Sequence, residues 1–186
     1  MLMNNLHKTL PKNKSPKSIN TKMMTTIAVD MTALKVAMAS TFVLLLKMNY
    51  SNMMTGKYRI SAGGRPPEDV KLFPKSGAQD FSGDSKVFNN PEKEKHVKQK
   101  LTRALRIVAN DLENIPIGLI VMWGSLVCCY NVNAHIACSA GFALGRVGHT
   151  ISYELELQPH RAWGWGLGIV SSSLLAANGV IGAFLL

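Results

Sequence analysis

Between Glu113 and Arg146, and again after Arg161, the chain contains no Asp, Glu, Lys or Arg. Each run exceeds the roughly 20 apolar residues a helix needs to cross a bilayer. A third apolar stretch, "VAMASTFVLLL", lies nearer the start and is flanked by Asp30, Lys35 and Lys47. This pattern predicts an all-α integral membrane protein, a bundle of four transmembrane helices over about 25–48, 98–130, 134–153 and 162–186. The second helix is long enough, at about 1.5 Å per residue, to extend beyond the hydrocarbon, so its polar first part projects into the interface or the bundle interior. "NVN" at 131–133 supplies the next turn and Pro159 the last one. A segment rich in Gly, Pro, Lys and Asp over about 51–97 reads as a polar loop with short local structure. Glycines at 164, 166, 168, 179 and 182 predict close backbone packing of the fourth helix.

Charge sharpens the picture. The net +10 divides into five Lys and no acid over residues 1–22, +1 over 23–50, +4 over 51–100 and zero over 101–186. The excess therefore lies outside the expected spans, as membrane orientation requires, and does not point to a nucleic-acid partner. Two parts follow, a basic N-terminal arm over 1–22 and a single membrane domain over 23–186. The arm lacks the apolar run of a secretory signal peptide and has no Arg of the kind found in organellar addresses. Cys128, Cys129 and Cys138 have neither CxxC nor zinc-ligand spacing, so they read as packed thiols, and no metal site is expected.

Four antiparallel helices place the end of the first, the start of the second, the end of the third and the start of the fourth on one side. Lys47, Arg103, Arg106, Asn110, Glu113, Arg146, His149, Tyr153 and Arg161 should therefore meet at one depth. Steps of three and four put Arg103, Arg106, Asn110 and Glu113 on one helical face and Arg146, His149 and Tyr153 on another. Asp111 points away from the first stripe and is expected to serve a helix contact. An Arg near the centre of a bilayer costs about 2.5–3.5 kcal/mol on insertion scales. Internal pairing of Glu113 with Arg106 or Arg146 would offset part of that cost, and an anionic ligand would balance the remaining cations. A small peptide with two carboxylates and one ammonium fits such a set, because Arg grips carboxylates in a two-pronged geometry and Glu can hold an ammonium. If the ligand carried a thiol, a neighbouring Arg would favour its thiolate form.

In order and spacing, "RxxxNDLENI" at 106–115, "GRVGHTISY" at 145–153 and "QPHRA" at 158–162 resemble the MAPEG family, the membrane-associated proteins in eicosanoid and glutathione metabolism. The closest likeness is to its microsomal glutathione transferase branch. "LLKM" ending at Met48, "KYR" ending at Arg59 and "PPED" ending at Asp69 add weaker matches. The resemblance covers roughly residues 25–186. It implies a homotrimer of four-helix subunits that binds glutathione, as cosubstrate, between neighbouring subunits near the cytosolic face. Carried across by position, it assigns Arg106, Asn110, Glu113, His149 and Tyr153 to glutathione, with Lys47 and Arg59 adding to the cationic pocket and Arg146 close by. Arg161 would stabilise the thiolate, with Asp69 near it.

The chain also departs from the family pattern. Pro116 arrives one residue early, and one residue is missing between Tyr153 and Pro159. Ala162 stands where prostaglandin E synthases carry a serine and Trp165 where they carry an aromatic hydroxyl, which disfavours the prostaglandin reaction. Ala109 and Val108 replace an arginine and a histidine. Two functions remain expected. One is conjugation of glutathione to hydrophobic electrophiles, with lipid hydroperoxide reduction as a possible second activity. The other is a non-catalytic MAPEG-fold subunit of a larger membrane complex. In either case membrane lipids and further copies of the chain are expected partners, and an endoplasmic reticulum or mitochondrial membrane the expected location.

Overall fold

A computed structural model describes residues 29–84 and 86–185, so the basic arm and residues 25–28 of the expected first helix lie outside the described residues. Four α-helices, α1 (Met31–Ala62), α2 (Pro91–Val127), α3 (Val132–Glu154) and α4 (His160–Leu185), account for most of this chain. Two 3-10 turns, Pro67–Lys71 and Pro74–Ser76, lie between α1 and α2, and no strand occurs among the described residues.

Buried positions in each helix recur in steps of three and four. In α1 they are Ala33, Ala37, Ser40, Leu44, Lys47 and Ser51, and in α2 Ala104, Ile107, Asp111, Ile115, Gly118, Met122 and Ser125. His135, Ser139, Phe142, Arg146 and His149 form the α3 stripe, and Gly168, Ser171, Leu175, Asn178 and Gly182 that of α4. A mean step of 3.5 residues is the seam of helices packed at shallow left-handed angles. α3 packs most extensively on α4, and α1 lies against both α2 and α3.

The character of these stripes is unlike that of a water-soluble bundle. Small and polar side chains are buried, while Phe42, Leu45, Leu46, Ile120, Leu174 and Phe184 are exposed. Hydrocarbon tolerates large apolar side chains on the outside and rewards small residues where helices meet. At the α3–α4 crossing a Cβ on Gly145 would stand 2.8 Å from the Gly168 nitrogen and 2.9 Å from the Gly164 oxygen. Backbone therefore meets backbone there. By length and composition α1 and α4 are able to cross a membrane.

Helix limits differ from the sequence expectation. α1 does not stop near residue 48 but runs to Ala62, because residues 49–62 contain no proline and continue the buried stripe through Ser51 and Thr55. It ends where Gly63 turns to φ 82° and sends its N–H back to the Arg59 and Ile60 carbonyls. The connecting segment thus covers 63–90 and not 51–97. α2 begins before residue 98, at Pro91, with the Asn90 side chain accepting from the Glu92 N–H at 2.8 Å and Glu92 and Glu94 in the first turn. It ends at Val127, so the α2–α3 turn falls just before "NVN", and the Asn131 side chain caps α3 by accepting from the Ala134 N–H. Asn178 of α4 pins that turn, accepting from the Asn131 N–H at 2.8 Å and donating to its carbonyl at 3.3 Å.

The 63–90 segment is fastened to the end of α1. Gln79 donates to the Ile60 carbonyl at 3.1 Å, and Lys86 Nζ donates to that of Ser61 at 2.8 Å. A cation on the last carbonyls of a helix also suits its dipole.

Candidate functional site

Lys47, Asp111 and Arg146 occupy corresponding positions on the buried stripes of α1, α2 and α3, and they meet. Lys47 Nζ donates to Asp111 Oδ2, while Arg146 Nη2 donates to Oδ1 of the same carboxylate at 2.7 Å. Each carboxylate oxygen thus holds a cation from a different helix. Arg146 Nη2 also donates to Asn110 Oδ1 at 2.7 Å, and Arg146 is 1% exposed. Two cations against one acid leave a net positive charge in the bundle. Arg146 Nε and His149 Nδ1 are buried there without a hydrogen-bond partner.

A more open groove of about 490 Å3 adjoins this cluster, lined by Lys95, Lys98, Gln99, Thr102, Arg103, Arg106, Tyr153 and Arg161. Its floor combines the first half of α2 with the α3–α4 corner. The Arg161 guanidinium lies 4.7 Å from the centre of the Tyr153 ring, which in turn meets His149 edge-on at 5.6 Å. Lys98 pairs with Glu94 at 2.9 Å, and that carboxylate raises the pKa of the ammonium above the usual lysine value. Arg103 reaches Glu156 at 3.1 Å. Lys95, Arg106 and Arg161 have no ion-pair partner among the described residues, and no carboxylate lines the groove. An anion entering it would find three cations without a carboxylate partner, one of them, Arg161, stacked on the Tyr153 ring.

The site residues expected from the sequence therefore divide into two groups. Arg106, Tyr153 and Arg161 share the groove, and His149 lies beneath Tyr153. Lys47, Asn110 and Arg146 instead join the buried cluster on Asp111. Glu113 is exposed and has no ion pair among the described residues, so neither Arg106 nor Arg146 uses it for internal neutralisation. Arg59 is exposed in the last turn of α1. Asp69 is held by Arg65, Nε to Oδ2 at 2.5 Å, and does not line the groove.

By its place off the polar stripe Asp111 reads only as a helix contact, yet it is the acid that gathers cations from two other helices. Its place in the step from Ile107 to Ile115 carried that information, since an acid on the buried stripe must find a partner. Lys95 precedes the expected start of α2 at residue 98, and Lys98, Gln99 and Thr102, although inside the expected helix, belong to a charged and polar first stretch that reads as solvated. Tyr50, which donates to Glu154 at 2.9 Å across α1 and α3, carried no signal at all.

Compared with known families, residues 37–181 match the model of the MAPEG family. No curated protein matches the chain.

Proposed function

The chain belongs to the MAPEG family, and we propose that within this membrane-associated family, whose members include glutathione transferases and non-catalytic subunits, the protein is a glutathione transferase of the microsomal type. In this reading all four helices lie in the bilayer, three copies assemble, and the cationic groove receives glutathione as cosubstrate. The observation that carries the reading is Arg161 stacked on Tyr153 beside unpaired Arg106, in a groove without an acid. Its volume of about 490 Å3 falls within the range of roughly 300–1,000 Å3 typical of small-molecule sites.

Arg106 and Lys95 hold the carboxylates of glutathione, and exposed Glu113 is available for its ammonium. Arg161 stabilises the thiolate. The reacting sulfur attacks an electrophilic carbon of a membrane-dissolved substrate, the carbon–sulfur bond forms, and the leaving group departs with the bonding pair. The protein's contribution is electrostatic, in that a guanidinium beside sulfur keeps the thiol ionised near neutral pH. Arg59 and Asp69, outside the groove within one chain, act at the junction with a neighbouring copy. Lys47 and Arg146 support the site from below by setting the positive potential under it, with Asn110 holding the Arg146 guanidinium in place. Lipid hydroperoxides are a second class of substrate, and the endoplasmic reticulum or mitochondrial membrane is the setting.

Purified protein is assayed for conjugation of glutathione to a chloronitrobenzene, with Arg161→Ala alongside. Turnover by the intact chain that is lost in the variant supports the reading, and equal turnover in both ends it.

One observation favours a second reading, a non-catalytic subunit of a larger membrane assembly. Lys47 and Arg146 are sealed on Asp111, so two of the expected site cations serve helix packing. Purification only together with other chains, and not as a free oligomer, would favour this alternative.

A further inference from the structure

A second cavity, of about 1090 Å3, is formed by the end of α1, the 63–90 segment and the first turns of α2, and it is separate from the groove that holds Arg161. Leu72, Phe73, Val87 and Phe88 contribute its apolar walls, and Lys75, Lys86 and Lys93 its only charges. Val87 is 88% exposed and Leu72 74%. Lys86 spends two of its N–H groups on the Ser61 and Ile60 carbonyls, at 2.8 and 3.4 Å. Burial, followed by the Lys93 ammonium, pushes its pKa below the usual lysine value. Neither Lys75 nor Lys93 has an ion-pair partner among the described residues.

We propose that this cavity binds an acidic phospholipid, its phosphate held by Lys75, Lys86 and Lys93 and its acyl portion lying on Leu72, Phe73 and Val87. Three lysines with no carboxylate among them leave the positive charge of the cavity unbalanced. Ammonium groups act as point charges, and lysine is an established phosphate ligand, so a phosphate beside the apolar walls matches what this lining offers. The cavity opens at the C-terminal end of α1, one of the two helices able to cross a membrane, so the nearest amphiphilic anions belong to the surrounding leaflet. The inference does not depend on glutathione chemistry.

The test uses the full chain purified in detergent and examined by native mass spectrometry with added phosphatidylserine, phosphatidylcholine of the same acyl chains, or oleate. Phosphatidylserine is expected to be retained about tenfold more than phosphatidylcholine. Lys75→Gln with Lys93→Gln should abolish that preference, both side chains being exposed and free of structural bonds. Lys57→Gln with Lys71→Gln removes the same charge outside the cavity and should preserve it. Survival of the preference in the first pair, equal loss in the second, or retention of oleate as strong as that of phosphatidylserine would each overturn the proposal. So would an absence of any retained lipid, the outcome expected if a neighbouring copy covers the cavity.

Discussion

Arg146 reaches from α3 to Asp111 of α2 at 2.7 Å, in a position where neither side chain meets solvent. The second oxygen of Asp111 holds Lys47 of α1, so one carboxylate ties three helices together. Removing it would strand two cations.

Asp111→Asn is expected to destabilise the fold by about 3–5 kcal/mol, the usual consequence of leaving a buried charge without its partner. Glu113→Gln, two positions along the same helix but exposed and unpaired, should change stability by no more than about 0.5 kcal/mol. Denaturant unfolding in detergent, followed by helical circular dichroism, distinguishes the two. Similar losses in both would refute the division between the buried cluster and the exposed face of α2.

In the conjugation assay Glu113 has its own readout. Glu113→Gln should raise KM for glutathione by about tenfold or more, since a charge-assisted contact contributes about 1.5–3 kcal/mol, while kcat changes little. An unchanged KM would remove Glu113 from the site.

Arg161→Ala should lower kcat by about a hundredfold, the scale set by loss of one preorganised electrostatic donor. Its pH profile carries the sharper test. A guanidinium beside the sulfur lowers the thiol pKa, so without it the thiolate forms only at higher pH and the rising limb of activity moves upward. A profile that falls in height without moving would assign Arg161 to binding and not to thiolate stabilisation.

Gly145→Ala should cost about 1–3 kcal/mol, because the added methyl meets the backbone of Gly164 and Gly168 at under 3 Å and two helices must separate. Gly148→Ala, with nothing within 4 Å of its Cβ, should be neutral or stabilising by up to about 1 kcal/mol. Thermal unfolding of both variants checks this contrast.

Much of the bundle was legible in the sequence. Charge-free runs, turn residues and the "QPHRA" corner gave four helices and placed the polar ends on one side, where Arg106, Tyr153 and Arg161 do share a groove. Helix ends were less legible. The stretch after Met48 is polar and reads as loop, but polarity does not break a helix, and α1 continues until Gly63. The start of α2 at Asn90 and Pro91 had its capping signal present, while the charged run behind it obscured the length of the helix.

Local chemistry of the chain by itself determined that four helices form, which face of the second and third carries arginine, and that cations outnumber acids where the helices converge, since periodicity and charge are properties of neighbouring residues. Which cation becomes a strut and which stays open to a ligand was decided only by the tertiary structure. Lys47 and Arg146 fall on the 3.5-residue seam and are drawn onto Asp111, whereas Arg106 and Arg161 stand off that seam. In a bundle packed at 8–10 Å between axes, a shift of one position along a helix turns a side chain by about 100°, enough to exchange a buried partner for open space.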